Sequence, residues 1–359
     1  MTDLLDELTF SRGPSMPNRF MLAPLTNTQS HEDGELSDDE FHWLTLRAAG
    51  GFGLTMTCAA HVQKIGQGFP GQLGIWSDAH IPGLSRLAKE IKSHNSVAIV
   101  QLHHAGMRSP ADLIGQAPVC PSADSETGAR ALTAEEVGQL AEDFIQAAIR
   151  AERAGFDGIE LHGAHGYILC EFFSSQTNSR DDQWGGSLAN RYAILDRIIE
   201  GVRAHCREDF MLGVRLSPER FGLDLAEQVQ MAEHYMTSGD LDFMDMSLWD
   251  VFKEPEDPAY QGRTLMSYFT ELERGATRLG VAGKIRTPEE AEQTLAAGVD
   301  WIMLGRAAIL HHNFPQRYAQ DHRFVPVKNP VSRAHLASEG LSEIFINYMD
   351  SWPGFVEET

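Results

Sequence analysis

The stretch Val281-Ala282-Gly283-Lys284-Ile285-Arg286-Thr287-Pro288-Glu289-Glu290, closed by Gly298 and followed by Trp301-Ile302-Met303-Leu304-Gly305-Arg306, holds the architectural unit of this chain. An apolar run, Val281–Ile285, meets a glycine-bearing turn. Thr287 then offers a capping hydroxyl, Pro288 suits the first helical position, and Glu289 and Glu290 place negative charge at the positive end of a helix. Gly298 supplies the left-handed stop, and a second apolar run begins at Trp301. Strand, helix and strand in this order form a βαβ unit, and a helical crossover makes the two strands parallel.

Working outward, the same unit recurs along the chain. The apolar runs are Phe20–Ala23, Leu54–Cys58, Val97–Leu102, Gly158–Leu161, Met211–Leu216, Phe243–Met246, Val281–Ile285 and Trp301–Leu304. Between them, Ser37-Asp38-Asp39-Glu40 opens a helix with a capping-box pattern and Gly50-Gly51 ends it. Thr133-Ala134-Glu135-Glu136 opens a long helix that runs to Gly155. Near-continuous apolar strands alternating with helices predict a parallel sheet covered on both faces. Eight repeats favour closure over an open sheet, and the absence of G-x-G-x-x-G after the first strand counts against a dinucleotide-binding fold. The predicted fold is α/β, a single-domain (β/α)8 barrel over residues 1–320. Residues 321–359 form a tail expected to pack on the barrel or on a neighbouring subunit. Three connections, 103–132, 163–187 and 247–264, are long and all follow strand C-termini, where active sites of such barrels lie.

Bulk properties narrow the chemistry. The 359 residues, 42% apolar, can bury a large core, and a net charge of −22 disfavours nucleic acid or an anionic membrane as a partner. Cys58, Cys120, Cys170 and Cys206 are widely spaced, without the C-x-x-C pairs of zinc sites or iron–sulfur clusters. The acidic start lacks a secretory leader's basic region, and no apolar run reaches the roughly 18 residues of a membrane helix. A cytoplasmic, metal-free protein acting on small molecules is expected, with homo-oligomerisation left open.

The strand ends carry the chemistry. Gly283-Lys284 and Gly305-Arg306 close adjacent strands, each pairing a glycine with a cation. Glycine lets backbone N–H groups approach an anion, so the set resembles a barrel phosphate site, although tight turns and a surface arginine would read the same way. Gln101, Thr26 and Arg215 offer an amide, a hydroxyl and a guanidinium that suit the edge of a flat heterocycle. Arg215 lies between Val214 and Leu216, where it is costly to bury without an anionic partner. His162 and His165 could donate to a substrate oxygen, bind a metal or serve structure alone; the first strand's Ala23-Pro24-Leu25-Thr26 lacks the H-x-H of metal-hydrolase barrels. Tyr167 offers a phenolic proton or a packed ring.

Taken together, Pro24-Leu25-Thr26, Gln101, the block Gly158–Tyr167 with His162-Gly163-Ala164-His165-Gly166-Tyr167, Asn178–Ser187 with Trp184-Gly185-Gly186-Ser187, Asn190-Arg191-Tyr192, Arg215, Gly283–Arg286 and Gly305-Arg306 resemble the Old Yellow Enzyme family of ene-reductases over residues 10 to 320. The resemblance implies non-covalent FMN. Pro24, Thr26, Ala59, Gln101 and Arg215 would hold its ring, with Thr26 near N5, and Gly283, Lys284, Gly305 and Arg306 its phosphate. It implies ping-pong chemistry in which NADPH or NADH delivers hydride to the flavin and an activated alkene receives it. His162 and His165 would bind the substrate carbonyl and Tyr167 would protonate the α-carbon.

The chain also departs from its relatives. Many bacterial members carry cysteine where Thr26 stands and an aromatic at the position of Thr28, which points to a more open pocket; some have glutamate in place of Cys58. No iron–sulfur or dinucleotide domain is expected after the barrel, and Ser332–Thr359 falls outside the resemblance. Competing readings are amine or lactam oxidation, NAD(P)H oxidase activity, a flavin-free phosphosugar aldolase or isomerase with Lys284 as Schiff base, and a non-catalytic flavin carrier. The combination of carbonyl donors and a proton donor favours enone reduction.

Overall fold

A computed structural model describes residues 2–358; Met1 and Thr359, which end the two expected segments, lie outside the described residues. Eight strands form a closed barrel: β1 Phe20–Leu22, β2 Leu54–His61, β3 Val97–His103, β4 Gly158–Gly163, β5 Met211–Leu216, β6 Phe243–Ser247, β7 Arg278–Ala282 and β8 Trp301–Leu304. Each strand pairs in parallel with its sequence neighbours, and β1 closes on β8 through Phe20–Leu22 against Ile302–Leu304. The connecting helices are α1 Asp38–Ala49, α2 Ile81–Ser93, α3 Ala134–Arg153, α4 Leu188–His205, α5 Leu225–Thr237, the short α6 Ser267–Thr270, α7 Pro288–Ala296 and α8 Arg306–Leu310.

The helix signals act through their caps. Thr287 accepts from the Glu290 N–H while the Glu290 carboxylate returns to the Thr287 N–H, with Pro288 inside the first turn; Thr133 and Glu136 do the same for α3. The box expected at Ser37 is only half formed. Ser37 accepts from the Glu40 N–H, but the Glu40 carboxylate is buried and bonds Asn27 and Ser30 instead. The seventh strand also needs correction: it spans Arg278–Ala282, three residues before the run that the sequence favours. Arg278 begins it because its side chain reaches the bottom rim, where it bonds the Thr9 carbonyl and faces Asp300. Gly283 and Lys284 consequently lie in the loop, Lys284 with φ of 55°.

The barrel interior is layered along its axis. At the bottom, Met21, Leu54, Met56, Val97, Ile99, Met211, Phe243, Trp301 and Met303 pack with Leu8 and Met16, which come from an antiparallel bridge in the N-terminal segment. Phe10 meets the edges of Phe243 and Trp301 with ring centroids 6.3 and 5.8 Å apart, completing an apolar plug. A larger apolar layer joins the outer faces of the strands to the helices. Polar residues take over only toward the strand C-termini. Beyond the barrel, α9 Phe314–Gln320, α10 Arg333–Ser338 and α11 Glu343–Asp350 follow. Leu336, Phe345, Ile346 and Met349 are buried in the outer layer, and Phe345 packs edge-on to Trp43 of α1 at 5.3 Å.

Candidate active site

The C-terminal face of the barrel carries two adjoining cavities. The inner one, about 70 Å³, is lined by Pro24, Thr26, Ala59, Phe69, Gln101, His103, His162, His165, Tyr167 and Arg215. Strand period explains the set. Inward residues alternate, so Gln101 and His103 share one face of β3, and register places Gln101 beside Ala59 of β2 and His162 beside Arg215 of β5. A register shift between Met56 and Ala59 is the local feature that brings Ala59 to this row.

The outer cavity, about 390 Å³, is lined by Arg108, His165, Tyr167, Phe221, Ser247, Trp249, Ala282, Gly283, Lys284 and Arg306. His165 and Tyr167 belong to both, so the two spaces are continuous. Gly305 does not line either cavity; it caps α8, one residue before Arg306. Lys284 reaches Asp250 at 3.2 Å. Arg306 has no carboxylate partner among the described residues, and its nearest charged neighbour of note is another cation, Arg286, which with burial lowers its pKa.

Four rings define the pocket wall. His162 stands 5.1 Å from His165, 5.3 Å from Tyr167 and 5.4 Å from His103, centroid to centroid, and His103 meets Tyr167 edge-on at 4.4 Å. Burial pushes every imidazole toward its neutral form: His165 falls to about 3 through desolvation and then the nearby Arg215 and Arg108, and His162 and His103 fall well below their ordinary value for similar reasons. Desolvation raises Tyr167, so its phenol keeps its proton. His165 has φ of 63°, its N–H donates to Ser217 Oγ at 3.0 Å, and its Nε2 is 2.6 Å from Ser247 Oγ. His162 Nδ1 and His103 Nδ1 are buried with no partner. His103 and Phe69 escaped the sequence reading; His103 was within reach, because it shares the inward phase of Gln101.

These residues fit a flat, polar, anion-bearing cofactor. Arg215 is 5% exposed, its Nε has no partner, and no carboxylate stands in ion-pair contact with it among the described residues. A buried guanidinium in that condition calls for a polar group above it. At the outer end, Arg306 and Arg286 bring together positive charge with no carboxylate in ion-pair contact among the described residues. Among the described residues, no cluster of His, Cys, Asp or Glu could hold a metal ion.

Comparison with known proteins agrees with this geometry. Residues 8–323 match the model of the NADH:flavin oxidoreductase / NADH oxidase family. The chain belongs to the Old Yellow Enzyme family. It is 36% identical over 322 residues to a probable NADH-dependent flavin oxidoreductase of Bacillus subtilis, covering 87% of this chain and 86% of that protein. An NADPH dehydrogenase of Listeria welshimeri is 33% identical over 310 residues, with 84% and 89% covered. The solved structure of the Old Yellow Enzyme homologue from Zymomonas mobilis superposes with a TM-score of 0.81 at 26% identity, covering 97% of this chain and 99% of that one. As a member of the family, the chain is an NAD(P)H:flavin oxidoreductase that uses FMN. Among the described residues, no helix is long and apolar enough to cross a membrane.

Proposed function

We propose that this Old Yellow Enzyme family member reduces the C=C bond of alkenes conjugated to a carbonyl. The observation that carries the reading is the wall formed by His162, His165 and Tyr167, which places neutral imidazoles and a protonated phenol around one continuous cavity. Pro24, Thr26, Ala59, Gln101 and Arg215 would hold the FMN ring, and Gly283, Lys284, Gly305 and Arg306 its phosphate. Bound FMN supplies a site that accepts hydride from NAD(P)H and returns it to the alkene.

The protein residues do the rest. His162, whose Nδ1 is unengaged, donates to the substrate oxygen, and His165 joins it as Ser247 fixes the orientation of its ring. Both are neutral donors, so their hydrogen bonds strengthen as negative charge grows on that oxygen during the reaction. Tyr167 delivers a proton to the α-carbon. Arg108 donates to the His165 carbonyl at 2.6 Å and lies 5.3 Å over the Tyr167 ring, which favours the phenolate left after that transfer. The outer cavity also accommodates the nicotinamide donor before the alkene enters. Amine oxidation would have no use for two oxyanion donors, and Lys284 pairs with Asp250 outside the inner cavity, which disfavours a Schiff-base role.

The test is Tyr167→Phe with cyclohexenone. General-acid assistance contributes roughly 10²–10⁴-fold, so alkene reduction should fall by about that factor. Stopped-flow reduction of the flavin by NADPH should stay within about threefold, since no phenolic proton enters that half-reaction. Equal slowing of both half-reactions would overturn the assignment.

A further inference from the structure

Below the ring site, two carboxylic acids occupy the barrel axis. Glu160 of β4 and Asp245 of β6 are both 0% exposed. Glu160 stands in register with Gln101 on one side and Gly213 on the other, while Asp245 stands in register with Arg215 and Gly280. Gly280 makes room beside Asp245: a Cβ there would come within 2.4 Å of Asp245 Oδ1. Gln101 Nε2 donates to Glu160 Oε1 at 2.6 Å. The remaining oxygens, Glu160 Oε2 and both of Asp245, have no protein donor.

We propose that Glu160 and Asp245 are positioning residues that share one proton, orienting Gln101 and balancing Arg215 from beneath the flavin. The proposal rests on the FMN site described above. Two carboxyl groups buried in one dry interior, with three of their four oxygens lacking a donor, do not both ionise, and the donor missing from the hydrogen-bond pattern is a proton on one of them. Asp245 is the acid that keeps it: burial comes first among the effects that raise its pKa, followed by the charge of Glu160, against the opposing pull of Arg215. Glu160 accepts from Gln101, which leaves the Gln101 carbonyl oxygen and second N–H for the ring. One negative charge lies behind one positive charge. Because no carboxylate contacts Arg215 directly, its donors stay available to the cofactor while its charge is compensated from below.

Sharing a proton makes the pair self-correcting. Glu160→Gln removes one of the effects that hold the proton on Asp245 and leaves the opposing pull of Arg215, and Asp245→Asn leaves a single carboxyl group beneath the ring. Each single variant keeps one carboxyl group that can carry the charge, whereas the double variant keeps none. The midpoint potential of bound FMN should therefore move by less than threefold in equilibrium constant in each single variant. The double variant, leaving Arg215 uncompensated against the reduced ring, should favour reduction by at least tenfold, about 30 mV for a two-electron couple. Additive shifts, or an unmoved double variant, would overturn the proposal. A second measurement needs neither the flavin nor the double variant. Isotope-edited infrared spectra with ¹³C-carboxyl aspartate should show a protonated carboxyl band at neutral pH that shifts with the label and disappears in Asp245→Asn. If the wild-type protein shows no such band, Asp245 holds no proton and the proposal fails, whatever cofactor the barrel takes.

Discussion

Arg306→Ala separates cofactor binding from folding more cleanly than other changes at the site. In the structure this guanidinium is partly buried, has no carboxylate partner among the described residues and lies near Arg286, which opposes its charge. Removing it costs the folded chain no ion pair and relieves a repulsion, so the melting temperature of the flavin-free protein should stay within about 2 °C. Its loss is felt only when phosphate is bound. A charge-assisted hydrogen bond is worth roughly 1.5–3 kcal/mol, and each 1.4 kcal/mol or so is tenfold in affinity, which gives a range of about 10- to 150-fold. Arg286 and Lys284 retain part of the field, so the lower end, about 10- to 30-fold, is expected. The assay is fluorescence titration of the deflavinated protein with FMN, repeated with riboflavin, which lacks the phosphate. FMN affinity should fall while riboflavin affinity holds. Equal loss for both ligands, or unchanged FMN binding, would refute the phosphate assignment.

Other outcomes follow from the same geometry. Thr26→Ala, which removes a hydroxyl lining the inner cavity, should lower the flavin potential, slow reduction by NADPH and speed hydride return to the alkene; dye-equilibration potentiometry showing no change would remove Thr26 from the flavin edge. Phe345→Ala deletes a buried ring that packs on Trp43 and should cost roughly 3–5 kcal/mol in chemical denaturation, with a loss under 1 kcal/mol arguing that α11 adds little to the barrel. Stability should also fall on acidification from about pH 6.5. Buried His61, His103, His104, His162, His165 and His311 all have lowered pKa values, two of them to about 4 and two to about 3, so the unfolded chain takes up protons that the native one refuses. His104 shows why: burial disfavours a charged ring and His61 adds to the shift, while Gly106 N–H donates to its Nδ1 at 3.0 Å, a bond that protonation would remove. Glu40, Glu171 and Asp245, with raised values, act in the opposite sense, losing stability as pH rises, but they are fewer. Melting temperature should peak near neutral pH, and a curve flat between pH 7 and 4.5 would refute the balance.

Much of this molecule is legible in its sequence, and the exceptions have physical causes. Caps and glycine stops mark α3 and α7 because local hydrogen bonds decide helix ends. The position of β7 is less legible, since an arginine that extends to the rim can open a strand and Val281–Ile285 is the more apolar run. Glu40 illustrates a tertiary override: its position favours a capping box, yet Asn27 and Ser30 offer its carboxylate a buried alternative. His162, His165, Tyr167, Gln101 and Arg215 stand at strand ends, where the barrel itself brings them together. His103, Glu160 and Asp245 carry the same inward period two residues from Gln101, His162 and Ser247. Which neighbours they stand beside depends on strand register and, for Asp245, on the missing side chain at Gly280, which no local pattern encodes.

The axial layering connects stability to chemistry. The bottom of the barrel is filled by an apolar plug around Phe243 and Trp301, and the outer faces by a continuous apolar layer, so the fold does not depend on satisfying every polar group above them. That division allows the upper interior to keep unpartnered atoms at Arg215, His162, His103 and Asp245, each of which would destabilise an ordinary core by roughly 1–3 kcal/mol. Such groups persist where a ligand or a proton completes them. Of the four, Arg215, His162 and His103 line the cavity and can be completed from it, whereas Asp245 does not line it and feels the charges of Glu160 and Arg215. On the function proposed here, the first three serve the binding of cofactor and substrate. Asp245 belongs to the charge balance that their binding requires.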